Sequence, residues 1–97
     1  MDILKYIPIG MENAVERPFL CQMTGLSDRD MRKEIARVRR EHPILNTQEG
    51  NGYYLPSLKD KEEVKRYINQ ESKRAKSIFY ALKGAKDWLK DIDNSLL

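Results

Sequence analysis

Apolar positions along this 97-residue chain fall into three rhythms, and each predicts a different kind of element. Ile3, Leu4 and Ile7 come first and are followed by Pro8 and Gly10, which reads as a short helical turn or strand and then a loop through Met11. A helix can begin at Glu16-Arg17-Pro18, because a first-turn proline lacks only an N–H that would have no partner there. Phe19, Leu20 and Met23 give this helix an apolar stripe, and Gly25 ends it, as suits a residue that takes positive φ freely. Ser27 then caps a second helix, with Asp30 at capping-box spacing. Met31, Ile35 and Val38 recur at i, i+4 and i+7 and define one buried face, and Leu26 in the turn points into the same core. Helix, glycine-containing turn, helix is the helix-turn-helix arrangement.

Past His42-Pro43 the rhythm becomes extended. Ile44 to Thr47 is a short strand candidate, Tyr53 to Leu55 a second, and Gln48-Glu49-Gly50-Asn51-Gly52 between them contains the Asn-Gly pair that favours a tight hairpin turn. From Ser57 or Asp60 onward the pattern is a single long helix; Ser57-x-x-Asp60 and Asp60-x-x-Glu63 both offer caps. Val64, Ile68, Glu71, Ala75, Ile78, Leu82, Ala85, Leu89 and Ile92 follow alternating steps of four and three, a heptad-like seam with one polar member. A continuous helix of this kind is roughly 50 Å long, more than the preceding residues can cover, and Gly84 marks a bend or end point. The expected fold class is mainly α with a small β-hairpin: a winged helix-turn-helix over residues 1–57 and a long C-terminal helix over 58–97.

Composition changes this picture little. The chain is 40% apolar and 34% charged, which suits a small folded domain with a charged exterior, and a net charge of +3 hints only weakly at a nucleic-acid partner. No apolar run reaches the roughly 18 residues of a membrane span, the first residues lack a signal-peptide core, and the one cysteine, Cys21, has no internal disulfide partner, which together predict a cytoplasmic protein with no membrane partner. Catalysis finds no support: there is no glycine-rich phosphate loop, no metal-ligand spacing and no nucleophile with a plausible base. No metal or cofactor is expected. His42 lies near a helix end where a cation is favourable, and Cys21 beside Phe19 and Leu20 reads as small core filler.

The distribution of charge says more. Six of the fourteen residues from Ser27 to Arg40 are Arg or Lys, against three acids, although residues 1–58 are neutral as a whole. With the glycine turn and hairpin around it, that cluster carries a resemblance. Glu12-Asn13-Ala14-Val15, then Thr24-Gly25-Leu26-Ser27-Asp28-Arg29 with Arg32 and Ile35, then Pro43-Ile44, and finally Gly52-Tyr53-Tyr54 follow the order of the winged helix-turn-helix DNA-binding domains. The chain resembles in particular a short phage- and prophage-associated variety, over about residues 3 to 56. The resemblance implies a regulator of transcription or replication of a mobile element, with the second helix in the major groove and Ser27, Asp28, Arg29, Arg32 and Lys33 nearest the DNA. Two departures stand out: His42 replaces a glycine that similar sequences often place after the recognition helix, and the wing tip, Gln48 to Gly52, has an acid and no Lys or Arg.

Major-groove chemistry assigns roles to these residues. Arg and Lys read guanine edges, and the first turns of a recognition helix approach the bases. Arg32 and Lys33 are expected at base edges, Ser27 and Arg29 on phosphates, and Arg37 and Arg40 on phosphates at the far end. Asp28 either favours the positive helix end or accepts from cytosine. Of Tyr53 and Tyr54, one packs in the core while the other, taken here as Tyr53, either packs too or touches a phosphate. The bland alternative is a solvated helix face with pairs such as Asp28–Arg32. The long helix either braces the head, lies along DNA through Lys73, Arg74, Lys76, Lys83 and Lys86, or makes a homodimer through Ile68, Ala75, Ile78, Leu82 and Leu89. The expected partners are therefore double-stranded DNA and a second copy of the chain. A rival reading from another class is a protein-interaction adaptor whose C-terminal helix docks a partner.

Overall fold

Proline and glycine set the element boundaries in the N-terminal part of the molecule. The computed structural model describes residues 2–95 and divides into two units, Met1–Tyr67 and Ile68–Leu97. In the first, the opening apolar residues form a 3₁₀ turn over Ile3–Tyr6, capped by the Asp2 side chain accepting from the Leu4 N–H at 3.0 Å, and a second 3₁₀ turn covers Met11–Asn13. A short strand β1 (Val15–Glu16) leads directly into helix α1 (Arg17–Thr24), whose first turn holds Pro18 as expected. Gly25 ends α1 in the left-handed region at φ 79°, its N–H returning to the Cys21 carbonyl at 2.8 Å. Helix α2 (Asp28–Val38) follows after two residues.

Leu20, Met31, Ile35 and Val38 join Ile3, Ile7, Ile44 and Tyr53 in one buried cluster, with Leu26 and Cys21 packed at its edge. Each such aliphatic side chain taken out of water contributes roughly 1.5–3 kcal/mol, so α2 is held by three anchors on one face. The stripe expected on α1 is corrected: Leu20 is fully buried, but Phe19 and Met23 are 44% and 49% exposed. One helical position away from Leu20 already turns a side chain outward.

The hairpin is present as β2 (Leu45–Asn46) and β3 (Gly52–Tyr54), but it belongs to a three-stranded antiparallel sheet in the order β1-β3-β2. Val15 pairs with Tyr53 and Leu45 with Tyr54, so β3 is central and both adjacent tyrosines are buried. The Asn-Gly turn is also corrected. The left-handed residue is Gly50, at φ 83°, with its N–H on the Thr47 carbonyl at 2.8 Å, whereas Gly52 is a strand residue. After α2 there is no left-handed cap at His42. The last turn tightens instead, with the Glu41 and His42 N–H groups both donating to the Val38 carbonyl at 3.1 and 3.0 Å.

Of the two candidate caps for the long helix, Ser57-x-x-Asp60 is the one formed. The buried Asp60 carboxylate accepts from the Ser57 backbone N–H at 2.9 Å and its hydroxyl at 3.0 Å, which closes a 3₁₀ turn over Leu58–Asp60. Helix α3 (Lys61–Ala81) starts there, and α4 (Lys83–Ser95) follows after one residue. The long C-terminal helix thus carries an interruption at Leu82, whose N–H is shared between the Ile78 and Phe79 carbonyls at 3.2 Å each. Helical bonding resumes at once, from the Lys86 N–H to the Leu82 carbonyl at 3.0 Å. The interruption lies two residues before Gly84, where helix preference is weakest. Within the second unit the seam residues are uncovered: Ile68, Ile78, Leu82, Leu89 and Ile92 are 40–62% exposed.

Candidate nucleic-acid interface

Helix α2 presents two chemically opposite faces because its apolar residues keep a strict helical spacing. Met31, Ile35 and Val38 point inward, and Arg29, Arg32, Lys33, Arg37 and Arg40 are all exposed. Its start is fixed locally, since Ser27 Oγ accepts from the Asp30 N–H at 3.1 Å. Asp28 and Asp30 occupy the first turn, where acids complement the positive end of the helix. Capping of this kind is worth about 1 kcal/mol, and it fixes which turn carries Arg29, Arg32 and Lys33.

The cations are not equivalent. Asp28 receives Arg17 from α1 through Nε and, at 3.0 Å, Arg32 from its own helix. These contacts, Arg17 foremost, hold the Asp28 carboxyl below the ordinary carboxylate range and raise the Arg17 guanidinium. Arg37 grips Glu34 with two hydrogen bonds of 3.1 and 2.9 Å, which lowers the Glu34 carboxyl in the same way. Arg29, Lys33 and Arg40 have no ion pair among the described residues. Both paired arginines remain open to solvent, Arg32 at 64% and Arg37 at 61% of their side-chain surface. Exposed pairs of this type are weak because water and salt screen them, so either guanidinium can be redirected to another anion at little cost.

Tyr53 is not available at this surface. It is 7% exposed, it belongs to the core, and its hydroxyl accepts from Arg17 Nη1 at 3.1 Å. Arg39, counted in the basic run, is also spent internally. It donates to the Ile44 carbonyl at 2.8 Å and to Asn46 Oδ1 at 2.9 Å, and its guanidinium lies 5.6 Å over the Tyr67 ring. It therefore joins the end of α2 to β2 and to the first turns of α3. Sequence reasoning missed Arg17, which ties α1, α2 and β3 together at the start of the exposed face. Its only local signal was its place at a helix start, a poor site for a cation unless an acid lies nearby.

The hairpin tip carries Glu49 and no cation between Gln48 and Gly52. Among the described residues no cluster of three or more metal-ligating side chains occurs, and no helix is long and apolar enough to cross a membrane. No family model, curated protein or solved structure matches the chain. Its chemistry has to be read from its own residues.

Proposed function

We propose that this protein binds double-stranded DNA through the outward face of α2, as a homodimer of winged helix-turn-helix type. One observation carries the reading: α2 is anchored by three buried residues, and the opposite face offers Arg29, Arg32, Lys33 and Arg37 to solvent, with Arg40 exposed in the turn just past the helix. A B-DNA major groove admits one α-helix, and cations on its first turns reach guanine edges and phosphates. Ser27 and Arg29 go to phosphates, Arg32 and Lys33 to base edges, and Arg37 and Arg40 to phosphates further along. Asp28 acts as a holder that keeps Arg17 and Arg32 in place until phosphate or base competes for them. The role in controlling transcription or replication of a phage-like element rests on the resemblance of residues 3–56, and the cytoplasmic location on the lone cysteine and the lack of an apolar span in the sequence.

A gel-shift titration with duplex DNA across a range of salt tests the proposal. Binding that weakens steeply with salt is expected, because each neutralised phosphate releases condensed counterions. Arg32→Ala is expected to lower discrimination between sequences by about 1–3 kcal/mol, and Arg40→Ala to weaken binding to all sequences alike. Equal losses on every sequence from both variants would reject the assignment of base readers. The second reading, a protein-interaction adaptor, is favoured by the acidic hairpin tip and by the exposed pair Phe19 and Met23 on α1. No shift at any salt concentration would select it.

A further inference from the structure

We propose that the C-terminal helices of two copies pair antiparallel, in the register that sets Ala75 of one copy against Ala85 of the other. The inference rests on the homodimer in the reading above and adds its direction and register. From Ile68 onward the heptad spacing of the sequence runs on through the interruption at Leu82: Ile68, Ala75, Leu82 and Leu89 occupy one core position, and Glu71, Ile78, Ala85 and Ile92 the other. These apolar residues are uncovered, and so are Phe79 and Trp88 on their two flanks, at 66% and 64% exposure. A face this wide and this apolar calls for a cover.

Charge decides which cover fits. Glu71 stands in the core row and pairs with Arg74 of its own helix at 3.2 Å. In a parallel pair in register, Glu71 meets Glu71 of the second copy in one desolvated layer, and two like charges there oppose each other. Reversing one helix removes this clash. With Ala75 against Ala85, Ile68 meets Ile92, Ile78 meets Leu82, and Glu71 lies against Leu89 with its stem on the leucine and its carboxylate on Arg74. The flanks then match as well. Arg74 comes beside Trp88 of the second copy, a cation over an indole face, and the two Phe79 rings meet across the twofold axis. In the parallel arrangement Trp88 would instead lie beside Asp93, and Ala81 beside Lys86. The two alanine layers allow close approach on either side of the axis, and the larger Ile78–Leu82 layers fill the centre.

Disulfide trapping in the full-length chain tests this. In a Cys21→Ala background, Ala75→Cys and Ala85→Cys are made separately, mixed under reducing conditions and oxidised. Both positions are exposed in the single chain, so folding is not at risk. The mixture is expected to yield a covalent dimer, and each variant alone is expected to run as a single chain on a non-reducing gel. Self-cross-linking of Ala75→Cys or of Ala85→Cys overturns the antiparallel register, and so does a mixture that fails to cross-link although the chain sediments as a dimer. A chain that sediments as a monomer overturns the homodimer itself, so the two failures are told apart.

Discussion

Two neighbouring tyrosines on the central strand end in different company. Tyr53 faces the main core and its hydroxyl is used by Arg17, whereas the Tyr54 hydroxyl is fully buried with no hydrogen-bond partner among the described residues. Burial, with Glu63 and Asp60 nearby, pushes the Tyr54 phenol above its ordinary range. An unsatisfied buried hydroxyl costs roughly 1–3 kcal/mol, so Tyr54→Phe is expected to stabilise the protein by about 1 kcal/mol, read as a higher urea midpoint. A lower midpoint would mean that the hydroxyl is satisfied. Arginine shows the same dependence on place. Of the cations in the basic run, Arg39 holds β2 while Arg29 and Lys33 stay open, and nothing in the residue type separates them.

Among the elements, α2 was the most legible. Its cap, its buried face and its exposed cations all depend on neighbours three or four positions away, a distance over which sequence spacing dictates geometry. The sheet was less so. Val15-Glu16 is too short to show a strand rhythm, and β1 exists because β3 offers it a free edge. Gly52 illustrates what that costs the sequence. A side chain there would lie 2.9 Å from Thr47 Cγ2 and 3.2 Å from Ala14 Cβ, and Thr47 cannot readily turn away because its Oγ1 accepts from the Gly52 N–H at 3.2 Å. Gly52→Ala is therefore expected to destabilise the protein by about 1–3 kcal/mol through overpacking, seen as a lower thermal midpoint. An unchanged midpoint would show that β1 and β2 can spread apart. The Asn-Gly signal indicated a hairpin correctly, but the left-handed residue is Gly50, two positions before Gly52, which is claimed by the strand.

For the whole molecule, the acids held by hydrogen bonds and cations set the response to pH. Asp28 bonds to Arg17, Glu34 to Arg37 and Asp60 to the Ser57 backbone, while Glu12 is held by its own backbone N–H and by Lys59 at 3.0 Å. All four are lowered in the folded state from unfolded values near 4. Each therefore contributes stability that is present above its unfolded pKa and is lost as pH falls through the folded one. Thermal midpoints are expected to stay level from about pH 7 to 5 and to drop below about pH 4. Asp60→Asn is expected to lower the midpoint at neutral pH and to make the acid drop shallower. A midpoint unchanged down to about pH 3 would contradict this account. At the same scale, the uncovered seam of the second unit was fully legible as a repeat, since a heptad is a property of spacing alone.

The sequence by itself determined the capped helix pair, the apolar face of α2, the existence of a hairpin and the C-terminal repeat, because each is written within a few neighbouring residues. Only the tertiary structure decided which cations stay free, that Tyr53 lies in the core, and that β1 completes the sheet. Those outcomes join residues far apart in the chain: Arg17 reaches Asp28 across 11 positions and Tyr53 across 36. Contacts at that separation depend on how the elements pack, and local spacing carries no record of it.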